Sequence, residues 1–241
     1  MFSRIRGYIP NCLTLISIAF GLSSILMGSQ GYLQLAGFFI FGSFLMDALD
    51  GIVARKWEVQ SMLGLQLDSL ADLVGLGIAP LALLFHHIMS RGPAALWILP
   101  FLILTACASA FRLARFNLFP PKSDINKDSI GLSLIHTAIT ITVAVLSDLS
   151  FPAFAVPFWV YTGLLLILSI SMVSKLKFPS LPWFFSSRLQ TVVIIAGLII
   201  CMLFLPPFTS LLLFSFAHLF FSIGRALFLK FSVKTSLPVN Y

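Results

Sequence analysis

Residues 32–89 read YLQLAGFFIFGSFLMDALDGIVARKWEVQSMLGLQLDSLADLVGLGIAPLALLFHHIM. Two long apolar runs flank a short polar turn at Arg55 and Lys56. A helix that crosses a bilayer needs about 20 apolar residues, and each run meets that length. The stretch therefore predicts a hairpin of two membrane spans. It also carries Asp47, Asp50, Asp68 and Asp72, half of the chain's eight acidic residues. Carboxylates beside hydrocarbon are costly, and their default reading is functional.

The rest of the 241-residue chain agrees with a membrane protein. Hydrophobic residues make up 59%, charged residues only 10%, and 25 residues are phenylalanine. Mean hydropathy is +1.04. So few charged side chains cannot cover a water-soluble globule of this size. A soluble enzyme, a disordered chain and a disulfide-stapled secreted domain are excluded. Cys12, Cys107 and Cys201 lie far apart inside apolar runs, without metal-ligand spacing, and read as small core residues. The net charge of +7 fits basic cytoplasmic loops and anionic lipid rather than nucleic acid.

Eight spans are expected, at about 10–28, 32–54, 62–89, 93–116, 130–148, 151–173, 189–205 and 208–229. The fold class is all-α, a polytopic helical bundle forming a single membrane domain over 1–241. Residues 8–150 form the expected catalytic core and 151–241 add further helices. The longest expected loop is Pro120–Asp128, and no repeat is visible. Arg4 and Arg6 before the first run resemble a leader's basic region. No A-x-A-like site follows, so that span is expected to be retained. Eight crossings put 14 of the 15 Lys and Arg residues on one side and Arg91 alone on the other. The basic side is then cytoplasmic, in the inner cell membrane, and it holds the aspartates.

The carboxylates are regularly spaced. Asp47 and Asp50 are three apart and Asp68 and Asp72 four apart, each pair on one helical face. Such a cluster either takes up protons or binds cations. Hard oxygen donors suit Mg2+ or Mn2+, and two divalent ions would balance four charges. From the carboxylates alone, a proton or Na+ relay of a transporter stays open.

The intervening residues narrow this. Asp47, Asp50, Gly51, Ala54, Arg55, Gly64, Asp68 and Asp72 fill the pattern D-x2-D-G-x2-A-R-x8-G-x3-D-x3-D. The segment resembles the signature of the CDP-alcohol phosphatidyltransferase family, and the resemblance covers residues 8 to 140. It implies transfer of a phosphatidyl group from CDP-diacylglycerol to an alcohol, with release of CMP. It also implies that Asp47, Asp50 and Asp68 hold the divalent ions, that Asp72 completes the second metal site, and that Asp72 is the general base. Gly51, Ala54, Arg55 and Gly64 would seat the CDP-diacylglycerol headgroup. Ile9-Pro10-Asn11-Cys12-Leu13-Thr14 resembles the family's P-N-x-x-T element, which places Asn11 and Thr14 near the cytidine. Pro10 suits the first turn of a helix, and Asn11 and Thr14 also suit ordinary capping.

Phe111-Arg112-Leu113-Ala114-Arg115-Phe116-Asn117 contains R-L-A-R-F-N, which resembles the bacterial and archaeal phosphatidylserine synthase branch. Two guanidiniums on one helix face suit the carboxylate of L-serine, the expected acceptor, although they equally suit anionic lipid. Gly131-Leu132-Ser133 departs from the G-L-P-x-P-like opening of that branch's next span. Choline, glycerol phosphate and an inositol phosphate remain alternative acceptors. Oligomeric state is open, with homodimers common among similar proteins. His86 and His87 are expected at the membrane interface, and His136 is expected to be packed or interfacial.

Overall fold

Each of the eight expected spans overlaps a helical rod in the computed structural model, which describes residues 2–118, 129–151, 156–179 and 188–235. The expected loop 120–128 lies outside the described residues. Helix α1 is Phe2–Ser29 and α2 is Leu33–Lys56. The third rod consists of α3, Met62–Asp72, a π turn at Leu73–Ile78, and α4, Ala79–Met89. The fourth opens as a 3-10 turn, Pro93–Ile98, and continues as α5, Leu99–Leu118. Then come α6, Leu134–Ser150, α7, Phe158–Val173, α8, Arg188–Phe204, and α9, Pro207–Thr235. Two-residue strands β1, Ser129–Ile130, and β2, Lys177–Phe178, pair antiparallel.

Among the described residues, five rods are long and apolar enough to cross a membrane: Tyr8–Ser29, Leu33–Lys56, Met62–Met89, Leu96–Leu118 and Pro207–Leu229. With the shorter apolar helices α6 and α7 they make a multi-pass membrane bundle. Exposed aromatics mark its two boundaries. Tyr32, Trp97 and Trp159 sit at one end, and Tyr8 and Trp57 at the other. Amphipathic rings settle at the headgroup level.

Several boundaries differ from the sequence reading. Helix α1 starts at Phe2, so Pro10 lies inside a helix and not in its first turn. The fifth span starts only at Leu134, because Gly131 takes φ +80 and Ser133 is extended, at φ −66 and ψ 139. A proline would accept the backbone angles of Ser133, so the departure from G-L-P-x-P leaves the local path intact. The third rod is not a plain α-helix. Pro80, at the start of α4, has no N–H for the carbonyl four residues back, and the chain widens by a π turn in which Ala79 N–H reaches the Val74 carbonyl.

The small residues of that widened turn permit a close crossing. A Cβ on Gly21 of α1 would lie 2.7 Å from the Gly75 Cα. Beside it, Ser17 and Ser43 exchange hydrogen bonds with each other's carbonyls, both at 3.0 Å. Such small-residue contacts and polar pairs join helices where lipid offers no hydrophobic drive.

Helix α6 is buried along most of its length, from Leu134 to Asp148. At its far end the Asp148 carboxylate accepts from Arg91 Nη2 at 2.7 Å, Tyr161 Oη at 2.6 Å and Val156 N–H at 2.8 Å, and lies 3.2 Å from His87 Nε2. His87 is thus buried rather than interfacial, and Arg91 is part of an ion pair. His136 is packed, its ring 4.3 Å from that of His218.

Candidate active site

The aspartates sit at the opposite end of the bundle, where α2 and α3 meet. Helix α2 ends when Glu58 takes φ 56. Glu58 N–H then bonds the Arg55 carbonyl at 3.3 Å, and Val59 N–H bonds that of Ala54 at 3.1 Å. This paired closure ends a helix and satisfies its last carbonyls. Ser61 begins α3 by accepting the Gly64 N–H at 3.0 Å. The turn between the two helices is therefore short, and their acidic faces converge.

Carboxylate oxygens of Asp47, Asp50 and Asp68 lie within 4.8 Å of one another. At that separation like charges repel by roughly 3 kcal/mol per pair, taking an effective dielectric of about 20. Among the described residues no basic side chain forms an ion pair with these three, although Arg55 stands nearby at the wall of the adjoining cavity. The Thr14 hydroxyl donates to Asp50 Oδ2 and fixes its orientation. Three hard oxygen donors that converge with no ion-pair partner among the described residues form a fitting seat for a divalent ion.

Asp72 lies beside that triad, its carboxylate close enough to interact directly with that of Asp47. It is a full helical turn beyond Asp68, just before the π turn. Its Oδ1 is buried with no hydrogen-bond partner among the described residues. The sequence reading groups it with the metal ligands, and it also lines a second cavity.

Two cavities flank the cluster. The larger, about 390 Å³, is lined by Asn11, Thr14, Gly51, Ala54, Arg55 and Gly64 together with Asp50 and Asp68. All six residues expected to hold the nucleotide-linked lipid therefore share one space. Two of the small residues admit neighbours at close range. A Cβ on Gly64 would meet Asn11 Oδ1 at 3.2 Å, and one on Gly51 would meet Arg55 Nη1 at 3.2 Å. The room above Gly51 is filled by the Arg55 guanidinium, which lies back over its own helix at the cavity wall.

The smaller cavity, about 230 Å³, is lined by Asp68, Asp72, Arg112, Asn117 and the start of α6 at Ser133 to Ile135. Asp68 and Leu65 belong to both walls. Arg112 Nε is buried and has no hydrogen-bond partner among the described residues. Asn117 pairs with the Ser69 hydroxyl, 2.9 Å from Nδ2, and so ties α5 to α3 between Asp68 and Asp72. The sequence reading did not assign Asn117 or Ser69, although Asn117 closes the quoted R-L-A-R-F-N element.

Arg115 does not join Arg112 in this cavity. Its Nη1 donates to the carbonyls of Val173 and Ser174 at 2.9 and 3.2 Å, and its Nη2 to those of Ile130 and Met172 at 2.9 and 3.0 Å. Three residues of helix separate the two arginines by enough rotation that one meets the cavity and the other meets the end of α7.

A family model described as CDP-alcohol phosphatidyltransferase matches residues 7–173. The chain is 28% identical over 234 residues to a CDP-diacylglycerol–serine O-phosphatidyltransferase of Helicobacter pylori (strain J99), covering 93% of each. It is 30% identical over 174 residues to the protein of the same name from Methanocaldococcus jannaschii, covering 72% of this chain and 75% of that one. A Saccharomyces cerevisiae protein with that name is 44% identical over 102 residues, 42% of this chain and 36% of the yeast protein.

Proposed function

The chain belongs to the CDP-alcohol phosphatidyltransferase family, and from that membership we propose that it transfers the phosphatidyl group of CDP-diacylglycerol to L-serine, giving phosphatidylserine and CMP. The observation that carries this reading is the pair of cavities meeting at Asp68. One has the residues to hold a nucleotide diphosphate, and the other offers a buried guanidinium and a carboxylate to a small amino acid. The relatives named for serine transfer support the acceptor.

In the larger cavity Asn11 and Thr14 offer polar contacts to the cytidine, and Arg55 offers a planar cation to the diphosphate. In the smaller one Arg112 pairs with the serine carboxylate. The serine hydroxyl is thereby held beside Asp72, whose free Oδ1 takes its proton. The serine oxygen bonds to phosphorus, and the phosphorus–oxygen bond to CMP breaks on the opposite side. Mg2+ or Mn2+ held by Asp47, Asp50 and Asp68, with Asp72 serving a second ion, would neutralise the diphosphate and the departing CMP. Thr14 keeps the Asp50 carboxylate turned toward its neighbours.

Every residue named here comes from one copy of the chain, so a homodimer is not required by the chemistry. The basic asymmetry of the sequence supports a cytoplasmic orientation of this face, at the inner cell membrane. The deciding assay supplies purified protein with CDP-diacylglycerol, Mg2+ or Mn2+, and a panel of alcohols, and follows CMP. Release that depends on serine supports the reading. Release with glycerol phosphate or choline but not serine replaces the acceptor, and no release with any alcohol overturns the reaction.

A further inference from the structure

A guanidinium carries four N–H groups on its two Nη atoms. In Arg115 all four are taken by the carbonyls of Ile130, Met172, Val173 and Ser174. No fork remains for a carboxylate ligand. Three of those carbonyls belong to the end of α7, where a helix has no N–H groups of its own to offer and where positive charge is favoured. The fourth belongs to β1, the segment that leads into α6.

We propose that Arg115 is a positioning residue for the acceptor cavity, a clamp between the end of α7 and β1 that sets the start of α6. The inference rests on reading the smaller cavity as the serine site. The path from clamp to cavity is short. Beyond Ile130, Gly131 N–H bonds the Leu176 carbonyl at 2.9 Å and Leu132 N–H bonds that of Ser171 at 3.0 Å. The next three residues, Ser133, Leu134 and Ile135, are cavity wall. Gly131 fits the same device. Its φ of +80 disfavours any side chain, and a Cβ there would stand 2.5 Å from Arg115 Nη2 and against the Met172 carbonyl. The element R-L-A-R-F-N thus divides its work. Arg112 faces the cavity, Arg115 holds its roof through backbone, and Asn117 braces its floor through Ser69.

The test uses a tether. Ile130 and Lys177 are register partners with exposed side chains. Because Gly131 and Leu176 form the hydrogen-bonded pair next to them, they are a non-hydrogen-bonded pair, whose close spacing suits a disulfide. The double variant Ile130→Cys/Lys177→Cys is made with and without Arg115→Ala. The rate of disulfide formation reports the clamp without any catalytic readout. Steady-state kinetics are then taken on the oxidised and reduced proteins.

With Arg115→Ala the disulfide is expected to form about tenfold more slowly, and the reduced enzyme to show a serine KM raised by about tenfold or more, as small misplacements in a reaction cavity do. The KM for CDP-diacylglycerol stays put. Oxidation restores the serine KM to near the parent value, because the tether replaces the clamp. An unchanged cross-linking rate overturns the proposal. So does a raised serine KM that the tether does not correct, which would mean that Arg115 touches the acceptor. A slower cross-link with an unchanged serine KM leaves the clamp standing but removes its premise that this cavity takes serine. If Arg115→Ala does not fold, Gly131→Ala puts the same strain on the clamp with the guanidinium retained. It should raise the serine KM in the same selective way, and failure to do so again overturns the proposal.

Discussion

Replacing Arg112 with alanine asks most directly what the smaller cavity recognises. The Arg112 guanidinium lines a space of about 230 Å³ with Asp72, and its Nε is buried with no hydrogen-bond partner among the described residues. A buried donor without an acceptor is an unmet demand, and an anion in the cavity would meet it. A hydrogen bond to a charged group contributes about 1.5–3 kcal/mol. At about 1.4 kcal/mol per tenfold, its loss lowers kcat/KM for serine by roughly 10- to 150-fold. The substitution also removes a cation from beside Asp72, which affects any acceptor. A cycle separates the two effects. The parent and Arg112→Ala enzymes are each assayed with L-serine and with serine methyl ester, which lacks the anionic carboxylate. The general loss cancels in the ratio of the two acceptors. The parent's preference for serine should shrink by the full factor in the variant, and lysine at this position should restore only part of it, since it keeps the charge without the planar fork. If both acceptors fall equally and the preference survives, Arg112 does not read the carboxylate, and the assignment of this cavity loses its main support.

Three further outcomes are expected. Asp68→Asn should abolish CMP release by weakening the triad that a divalent ion needs, while membrane insertion and helix content stay normal; full turnover in that variant would refute the metal seat. Glu58→Cys, in the turn between α2 and α3, should react with an impermeant thiol reagent only from the cytoplasmic side, and labelling from outside alone would invert the topology. Asp148→Ala should lower stability in detergent unfolding by about 3 kcal/mol, the low end for breaking a buried pair because Arg91 is a third exposed, while turnover per folded molecule stays near the parent's. A large loss of turnover per folded molecule there would mean that the far end of the bundle controls the chemistry.

The hairpin of α2 and α3 was legible because its chemistry is local. Asp47 and Asp50, then Asp68 and Asp72, are placed by helical periodicity, and only a five-residue turn separates the two helices. The grouping of Asn11 and Thr14 with Gly51 and Arg55 needed the resemblance, since nothing in the sequence of α1 announces which helices it packs against. Arg115 shows where periodicity stops. A helical wheel puts it near Arg112, but its partners are set by the end of α7, 57 to 59 residues later. His87 was misread for the same reason, because its carboxylate partner is 61 residues away on α6. The π turn after Asp72 was also hidden. Hydropathy measures only the length of a span, and the widening arises from Pro80 and from a glycine crossing against α1.

Asp68 has a consequence through the two walls it serves. One carboxylate cannot adjust to an occupant on its left without altering what it offers on its right. With the nucleotide-linked lipid in the larger cavity and the amino acid in the smaller, as proposed, their affinities would be thermodynamically linked, and the linkage reciprocal. If the lipid draws Asp68 into a new orientation that favours serine by some factor, serine favours the lipid by that same factor. The enzyme would then discriminate acceptors partly through the donor it already holds, and the affinity for serine in the absence of donor would understate the selectivity of the loaded state.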